Sequence, residues 1–359
     1  MGHNMRVFLL GFALLSAGTT GASSSQFRHA AYYPAGERPY RVIATELTKS
    51  GNLDLVIADY LSNQICVLLG NGNGTFQKTL KFSVPVPAAL VPGDFNEDGN
   101  QDLAVVEDFG SGEELIAIYL GDGEGGFRRS ATYESGIQTT AVAVANKVGN
   151  VKVFLGSGNG TLKKPATYKL PGMPYGIAAG DLNGDHRPDL AVTNLAGYVS
   201  VLLNDGKGGF GKSIAYSAGG GEVTDVKMAD LRNDGREDLV VTNGSQGMVV
   251  LLNKGNGAFG KPTIYRPCGN NCQGPETCVT ADFNSDGKLD VACATQLDDS
   301  YFFYGNGKGG FGGAIPIADT IKNQGGFSIA AGDFNNDGAP DLAIPIELKG
   351  KVAIMLNTR

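Results

Sequence analysis

Apolar residues in this chain come in short runs separated by Gly, Asn and Asp, and the pattern can be followed through one full period between residues 172 and 216. A run at 175–179 is followed by an acidic loop at 181–189. Apolar residues return at 190–193, and 194–197 has turn composition. The stretch 199–203 alternates and leads into NDGKGGF (204–210), after which 210–216 gives a fourth run. Runs this short and of period two predict strands, and a Gly/Asn-rich joint between two of them predicts a hairpin. No apolar period of 3.6 residues appears, which argues against a helical solenoid.

The period repeats. GDFNEDGNQDL (93–103) returns as GDLNGDHRPDL (180–190), ADFNSDGKLDV (281–291) and GDFNNDGAPDL (332–342). A second phrase ends at residues 76, 127, 162, 210, 259 and 311, in forms such as GNGNGTF, GDGEGGF and GNGKGGF. Four short antiparallel strands in each repeat of roughly 50 residues is the signature of a propeller blade. Counting acidic-loop positions and hairpins gives seven units, starting near 40, 88, 137, 173, 222, 276 and 327. The expectation is an all-β, seven-bladed β-propeller of four-stranded antiparallel blades, one domain over 27–359. The last unit stops before its hairpin, whereas FRHAAYYPAG (27–36) matches the fourth-strand segments FRRSATYESG and FGKSIAYSAGG. The N-terminal strand is therefore expected to complete the last blade and remove a free edge. Unit three lacks the acidic loop and an inner strand. Residues 136–140 must cross that blade irregularly, or the blade is malformed.

Within the loop, oxygen-bearing side chains fall at positions 1, 3, 5 and 9: Asp94, Asn96, Asp98 and Asp102; Asp181, Asn183, Asp185 and Asp189; Asp282, Asn284, Asp286 and Asp290; Asp333, Asn335, Asp337 and Asp341. Three carboxylates this close repel one another unless a cation lies among them, and a set of oxygen donors suits calcium. Zinc would require His or Cys. Position 6 is Gly99, Gly287 or Gly338, which permits a left-handed turn of the chain; loop four has His186 there and is expected to be weaker. Loop one (Glu46, Thr48, Ser50, Asp54) has too few carboxylates. Loop five (Asp230, Asp234, Asp238) carries Arg232 at position 3, where its guanidinium could supply the positive charge itself.

DxNxDGxxDL followed by GNGxGxF resembles the FG-GAP repeat of integrin alpha-chain propellers and secreted bacterial VCBS-type proteins, over nearly everything after residue 26. The resemblance implies a seven-bladed propeller with calcium between the first and second strands of a blade. About four Ca2+ sites are expected.

Composition adds less. A net charge of −7 argues against nucleic acid as a partner. The first 25 residues have the charge, apolar run and small-residue tail of a secretory signal peptide, with cleavage after Ala22, so a secreted, periplasmic or cell-surface location is expected. The nine-residue run VFLLGFALL is too short to span a bilayer. Export permits disulfides, and the favoured pairs are Cys268–Cys272 and Cys278–Cys293, with Cys66 a buried thiol. No Ser-His-Asp set is recognised among only 3 His. The carboxylates Glu107, Asp108, Glu113, Glu114, Asp298 and Asp299 keep a polysaccharide lyase or hydrolase as an alternative. The leading expectation is a monomeric binding or adhesion module for an extracellular protein or glycan; a purely structural surface protein is the other alternative. The turns between second and third strands vary most between units, and variable loops on a rigid frame are the usual place for recognition. Tyr60, Phe109, Tyr198 and Tyr301 are the aromatic candidates there, with Tyr40, Tyr175 and Phe327 near the channel mouth.

Overall fold

The computed structural model of the chain describes residues 26–28, 30–109, 114–134, 144–146, 150–267, 274–296, 299–317 and 326–359. The predicted signal peptide, His29, Glu113, Asp298, Cys268 and Cys272, and the crossing at 136–140 lie outside the described residues.

Six four-stranded antiparallel sheets follow one another along the chain. The fourth unit is typical: Pro174–Gly180, Asp189–Asn194, Tyr198–Leu202 and Ile214–Ser217 pair in sequence order. The second strand is buried along its whole length, as are its counterparts Asp54–Asp59 and Asp238–Asn243. Each blade has a neighbouring sheet packed on both of its faces, so its central strands read as continuous apolar runs rather than alternating ones. The core lies in the interfaces between blades. Leu55, Ile57 and Cys66 of unit one meet Ala343 and Ile354 of unit seven, and Ala191 and Val201 of unit four meet Val226 and Val241 of unit five.

The structure has six blades, not the seven expected. Among the described residues, unit three contributes a three-stranded sheet of Val144–Asn146, Asn150–Val153 and Ala166–Lys169. A Gly-rich hairpin specifies only the outer half of a blade. Counting hairpins therefore overcounts where the loop and inner strand are missing. The small sheet packs Val151 and Tyr168 against Leu190 and Val192 of unit four, and Phe154 and Leu162 of its connecting segment pack against Ile116 and Ile118 of unit two.

The ends of the chain share one blade. Its order is Ala31–Pro34, Lys351–Met355, Asp341–Ile346, Ala330–Gly332, with Ala31 opposite Ile354 and Pro34 opposite Lys351. The N-terminal strand is the outer strand of the last blade, as its likeness to other fourth strands implied. Phe27 continues the closure by stacking on Phe302 with ring centroids 4.9 Å apart.

A tyrosine in the outer strand then ties each of several blades to the next. The Tyr33 hydroxyl accepts the N–H of Phe76, and Tyr168 and Tyr265 do the same for Phe210 and Phe311. Tyr133 accepts from Leu162, while Tyr216 donates to the carbonyl of Gly257. The rings meet edge to face, with Tyr33–Phe76 at 5.4 Å and Tyr265–Phe311 at 5.5 Å.

Candidate metal loops and turn face

The acidic loops join first to second strands, and the Gly-rich hairpins join third to fourth. Antiparallel order places both at one end of the blades, and hydrogen bonds link them across blades. Gly257 of the unit-five hairpin donates to the Leu182 carbonyl of loop four, and Gly160 to that of Phe95 in loop two.

Two left-handed residues curl each loop. In loop two they are Glu97 (φ 59°) and Gly99 (φ 81°). His186 adopts the same conformation at φ 62°, as position 6 of loop four requires. The curl lets the first Asp gather N–H groups from across the turn. Asp94 accepts from Asp98 at 3.2 Å and Gly99 at 2.8 Å, and Asp333 from Asp337 at 3.1 Å and Gly338 at 2.7 Å. Position 3 bridges to position 5: Asn96, Asn183 and Asn335 each donate to the carboxylates of Asp98, Asp185 and Asp337. In loop six the Asn284 side-chain oxygen accepts the N–H of Asp286.

Position 9 behaves differently. Asp54, Asp102, Asp189, Asp290 and Asp341 are fully buried, and each uses both oxygens as a staple. One accepts the N–H of loop position 2 and the other that of a residue just past the third strand, which in units one, two, four and six opens the Gly-rich hairpin. For Asp341 the donors are Phe334 at 2.9 Å and Asn357 at 2.7 Å; for Asp102 they are Phe95 and Gly121, both at 2.8 Å. Spacing singled these residues out as ligands, yet even loop one, poor in carboxylates, keeps its staple through Asp54.

The carboxylates still crowd one another. Burial pushes the Asp341 carboxyl up to about 6, and Asp337 and Asp333 add to the rise. Asp102, Asp189 and Asp290 are raised for the same reasons, with burial the largest cause and positions 5 and 1 contributing. Among the described residues no three His, Cys, Asp or Glu side chains are gathered as a metal centre. The remaining donor set, with Asp at 1 and 5 and an amide oxygen at 3 in four loops, consists of oxygen atoms alone and suits a hard dication.

Loop five solves the crowding within the chain. The Arg232 guanidinium lies between positions 5 and 9. Nη1 is 3.0 Å from Asp234, and Nε and Nη2 contact the two oxygens of Asp238 at 3.1 and 2.7 Å. Nη2 also donates to the Asn253 carbonyl at 2.8 Å.

The opposite end carries the variable turns. Phe109 and Tyr198 are each 43% exposed there, and Tyr60 is half-buried. Tyr301 is only 7% exposed and packs with Met248, Cys278 and Cys293, so it belongs to the interface between the blades of units five and six rather than to an open surface. Tyr40 lies 6.4 Å from Tyr60 and 5.0 Å from Phe327, ring to ring, beside the channel mouth. Glu107, considered above as a catalytic carboxylate, is fully buried and bound by Tyr119 and Arg129 at 2.8 and 2.6 Å.

Cys278 and Cys293 stand opposite each other on neighbouring strands and are joined as a disulfide. Cys66 is a buried free thiol, and burial pushes it up to about 11. The outer-strand tyrosines were missed as latches. Their signal was present in the AYY, ATY and IAY segments that mark fourth strands.

A ring of antiparallel blades with an acidic loop between first and second strands defines a β-propeller repeat protein. The sequence matches the FG-GAP-like repeat over 47–105, 138–192, 181–241, 230–293 and 282–344, well over half of its length, and the chain belongs to that family. No curated protein matches it significantly. Among solved structures it is similar to BBS1N in complex with ARL6DN, in crystals soaked with mercury and with lead. Each has 15% identity and a TM-score of 0.63, covering 93% of this chain and 98% of that one. Among the described residues no helix is long and apolar enough to cross a membrane.

Proposed function

We propose that the protein is an exported, calcium-stabilised propeller that recognises a protein partner through its turn face. One observation carries the choice of face. Leu61, Phe109, Met173, Tyr198 and Leu348 are large, apolar and 42–69% exposed, and all lie in the turns or connectors of that end. Elsewhere among the described residues the comparably exposed apolar side chains are Leu155 at the loop-and-hairpin end and Tyr32, Leu80, Ile214 and Ile315, which are scattered one to a blade on the outer strands rather than gathered in turns. Exposed apolar side chains held on a rigid frame mark a recognition surface. The propeller BBS1N is itself found in complex with another protein, ARL6DN, which supports the reading at the level of the fold.

Calcium in loops two, four, six and seven would rigidify the opposite end. Asp94, Asp181, Asp282 and Asp333, with the Asn at position 3 and the Asp at position 5, would hold it. The ion supplies charge neutralisation and no chemistry.

The test compares partner capture from the native secretome by the wild type, by Leu61→Ser with Tyr198→Ala, and by Leu155→Ser with Lys207→Ala on the hairpins. Loss of a specific captured protein in the turn-face variant alone supports the assignment. Loss in the hairpin variant alone, with both proteins folded, sinks it.

A further inference from the structure

The hairpins and outer-strand segments of three consecutive units differ in charge from the rest of the chain. Residues 155–169, 204–217 and 253–265 of units three, four and five hold seven Lys and a single acid, Asp205, in a chain whose net charge is −7. Lys163, Lys164, Lys207, Lys212, Lys254 and Lys261 are all exposed, and none is ion-paired among the described residues. Asp205 turns one carboxylate oxygen onto the N–H groups of Lys207 and Gly209. Hydrogen bonds between neighbouring units make the segments one surface. Tyr168 accepts the N–H of Phe210 and the Ser213 hydroxyl donates to the Lys169 carbonyl, while Tyr216 donates to that of Gly257. Two aliphatic side chains stand among the lysines. Leu155 is 45% exposed; its carbonyl accepts the Lys163 N–H at 2.7 Å, and its side chain comes within 3.8 Å of where a Cβ on Gly208, next to Lys207, would stand. Ile214, 50% exposed, is two residues on from Lys212.

We infer that this side of the ring lies against an anionic lipid bilayer, with Leu155 and Ile214 entering the headgroup layer and the lysines on lipid phosphates. Clusters of four to eight cations are attracted to such a surface, and apolar side chains among them add buried area. The three segments contain no Arg to fork onto a carboxylate. Lys is a point charge on a long apolar stem, which suits headgroups that offer no fixed geometry. The acidic remainder of the chain is screened beyond a Debye length of about 10 Å at 0.1 M salt, so the local cluster decides. A soluble anionic polymer would use the lysines but give the two aliphatic side chains nothing to enter. The surface is the side wall and hairpin end of units three to five. The turn face stays free, and the inference does not rest on the protein-binding reading.

The full chain in millimolar calcium is co-sedimented with vesicles of phosphatidylglycerol and phosphatidylcholine and with vesicles of phosphatidylcholine alone, and is titrated with dextran sulfate by calorimetry. The expected result is binding to the anionic vesicles only, weakening as salt is raised. Each Lys near such a surface contributes about fivefold, so Lys163→Gln, Lys207→Gln and Lys212→Gln together should weaken binding about a hundredfold. The same loss of charge at the exposed Lys78, Lys81 and Lys349 should change it by no more than about twofold, since those charges lie beyond screening distance of the contact. Leu155→Ser with Ile214→Ser should weaken binding several-fold at every salt concentration. All of these side chains are exposed, and melting checks that each variant is folded. No binding to anionic vesicles overturns the inference. So does equal loss in the two lysine variants, binding indifferent to Leu155→Ser with Ile214→Ser, or binding of dextran sulfate in preference to vesicles.

Discussion

Arg232 grips both carboxylate oxygens of Asp238, through Nη2 at 2.7 Å and Nε at 3.1 Å, in the one acidic loop that has Arg where loops two, four, six and seven have Asn. A cation supplied by the chain lies between positions 5 and 9 of that loop. Asp238 is fully buried and Arg232 largely so. Removing one partner of such a pair leaves a buried charge and typically costs about 3–5 kcal/mol. Arg232→Asn restores the spacing of the other loops, so it should destabilise the chelated protein by about 3 kcal/mol and regain most of that when calcium is added. Denaturant melts in EDTA and in millimolar calcium check this; equal loss in both would separate Arg232 from any cation role.

Ring closure depends on residues 27–34. Truncation before Ala35 removes the outer strand of the last blade and the Tyr33–Phe76 latch, exposes an edge, and should cause aggregation. Tyr33→Phe is the gentler version. It leaves the Phe76 N–H without its acceptor and should cost about 0.5–1.5 kcal/mol. A truncated chain that stays monomeric with unchanged melting would refute closure.

The blade pattern was legible because period-two runs and Gly/Asn hairpins are local signals. The number of blades was not, since the hairpin at 156–162 is intact while the strand it implies further in is absent from the described sheet. The staples were hidden for another reason. Asp102 and Asp94 look alike in sequence, and only burial separates the residue that anchors the loop from the one on its surface. Tyr198 and Tyr301 both open third strands, yet one is exposed and the other buried, a distinction made by the neighbouring blade. The tyrosine latches join residues 29 positions apart for Tyr133 and Leu162 and more than 40 apart for the others, beyond the reach of any local pattern.

The disulfide between Cys278 and Cys293 closes a loop of 15 residues around loop six. Chain-entropy arguments give about 3 kcal/mol for a loop of that length. Replacing both cysteines by Ser should lower stability by up to that amount while Cys66, buried with a raised pKa, stays unreactive to thiol reagents until unfolding. Rapid labelling of the native protein would contradict the placement of Cys66.

Protons and calcium should compete at loop seven. The folded pKa of Asp341 is raised to about 6, from 3.8. A raised pKa favours the folded state at low pH, and that contribution disappears as pH rises through about 6. Asp102, Asp189 and Asp290 shift in the same direction. The calcium-free protein should therefore lose this stability between pH 4 and 7, whereas the stabilisation gained from calcium should grow over the same window. Parallel pH series of melting with and without calcium check the two slopes; a calcium effect larger at pH 4.5 than at pH 7 would be the wrong sign.

Bound calcium per chain, counted by mass spectrometry of metals after equilibration in millimolar calcium and brief removal of excess, bears most directly on the proposal that calcium stabilises the frame. The expected content is about four ions in the wild type, one more in Arg232→Asn and one fewer in Asp333→Ala, with melting that falls on chelation. A content near zero, with melting unchanged by exhaustive chelation, would contradict it.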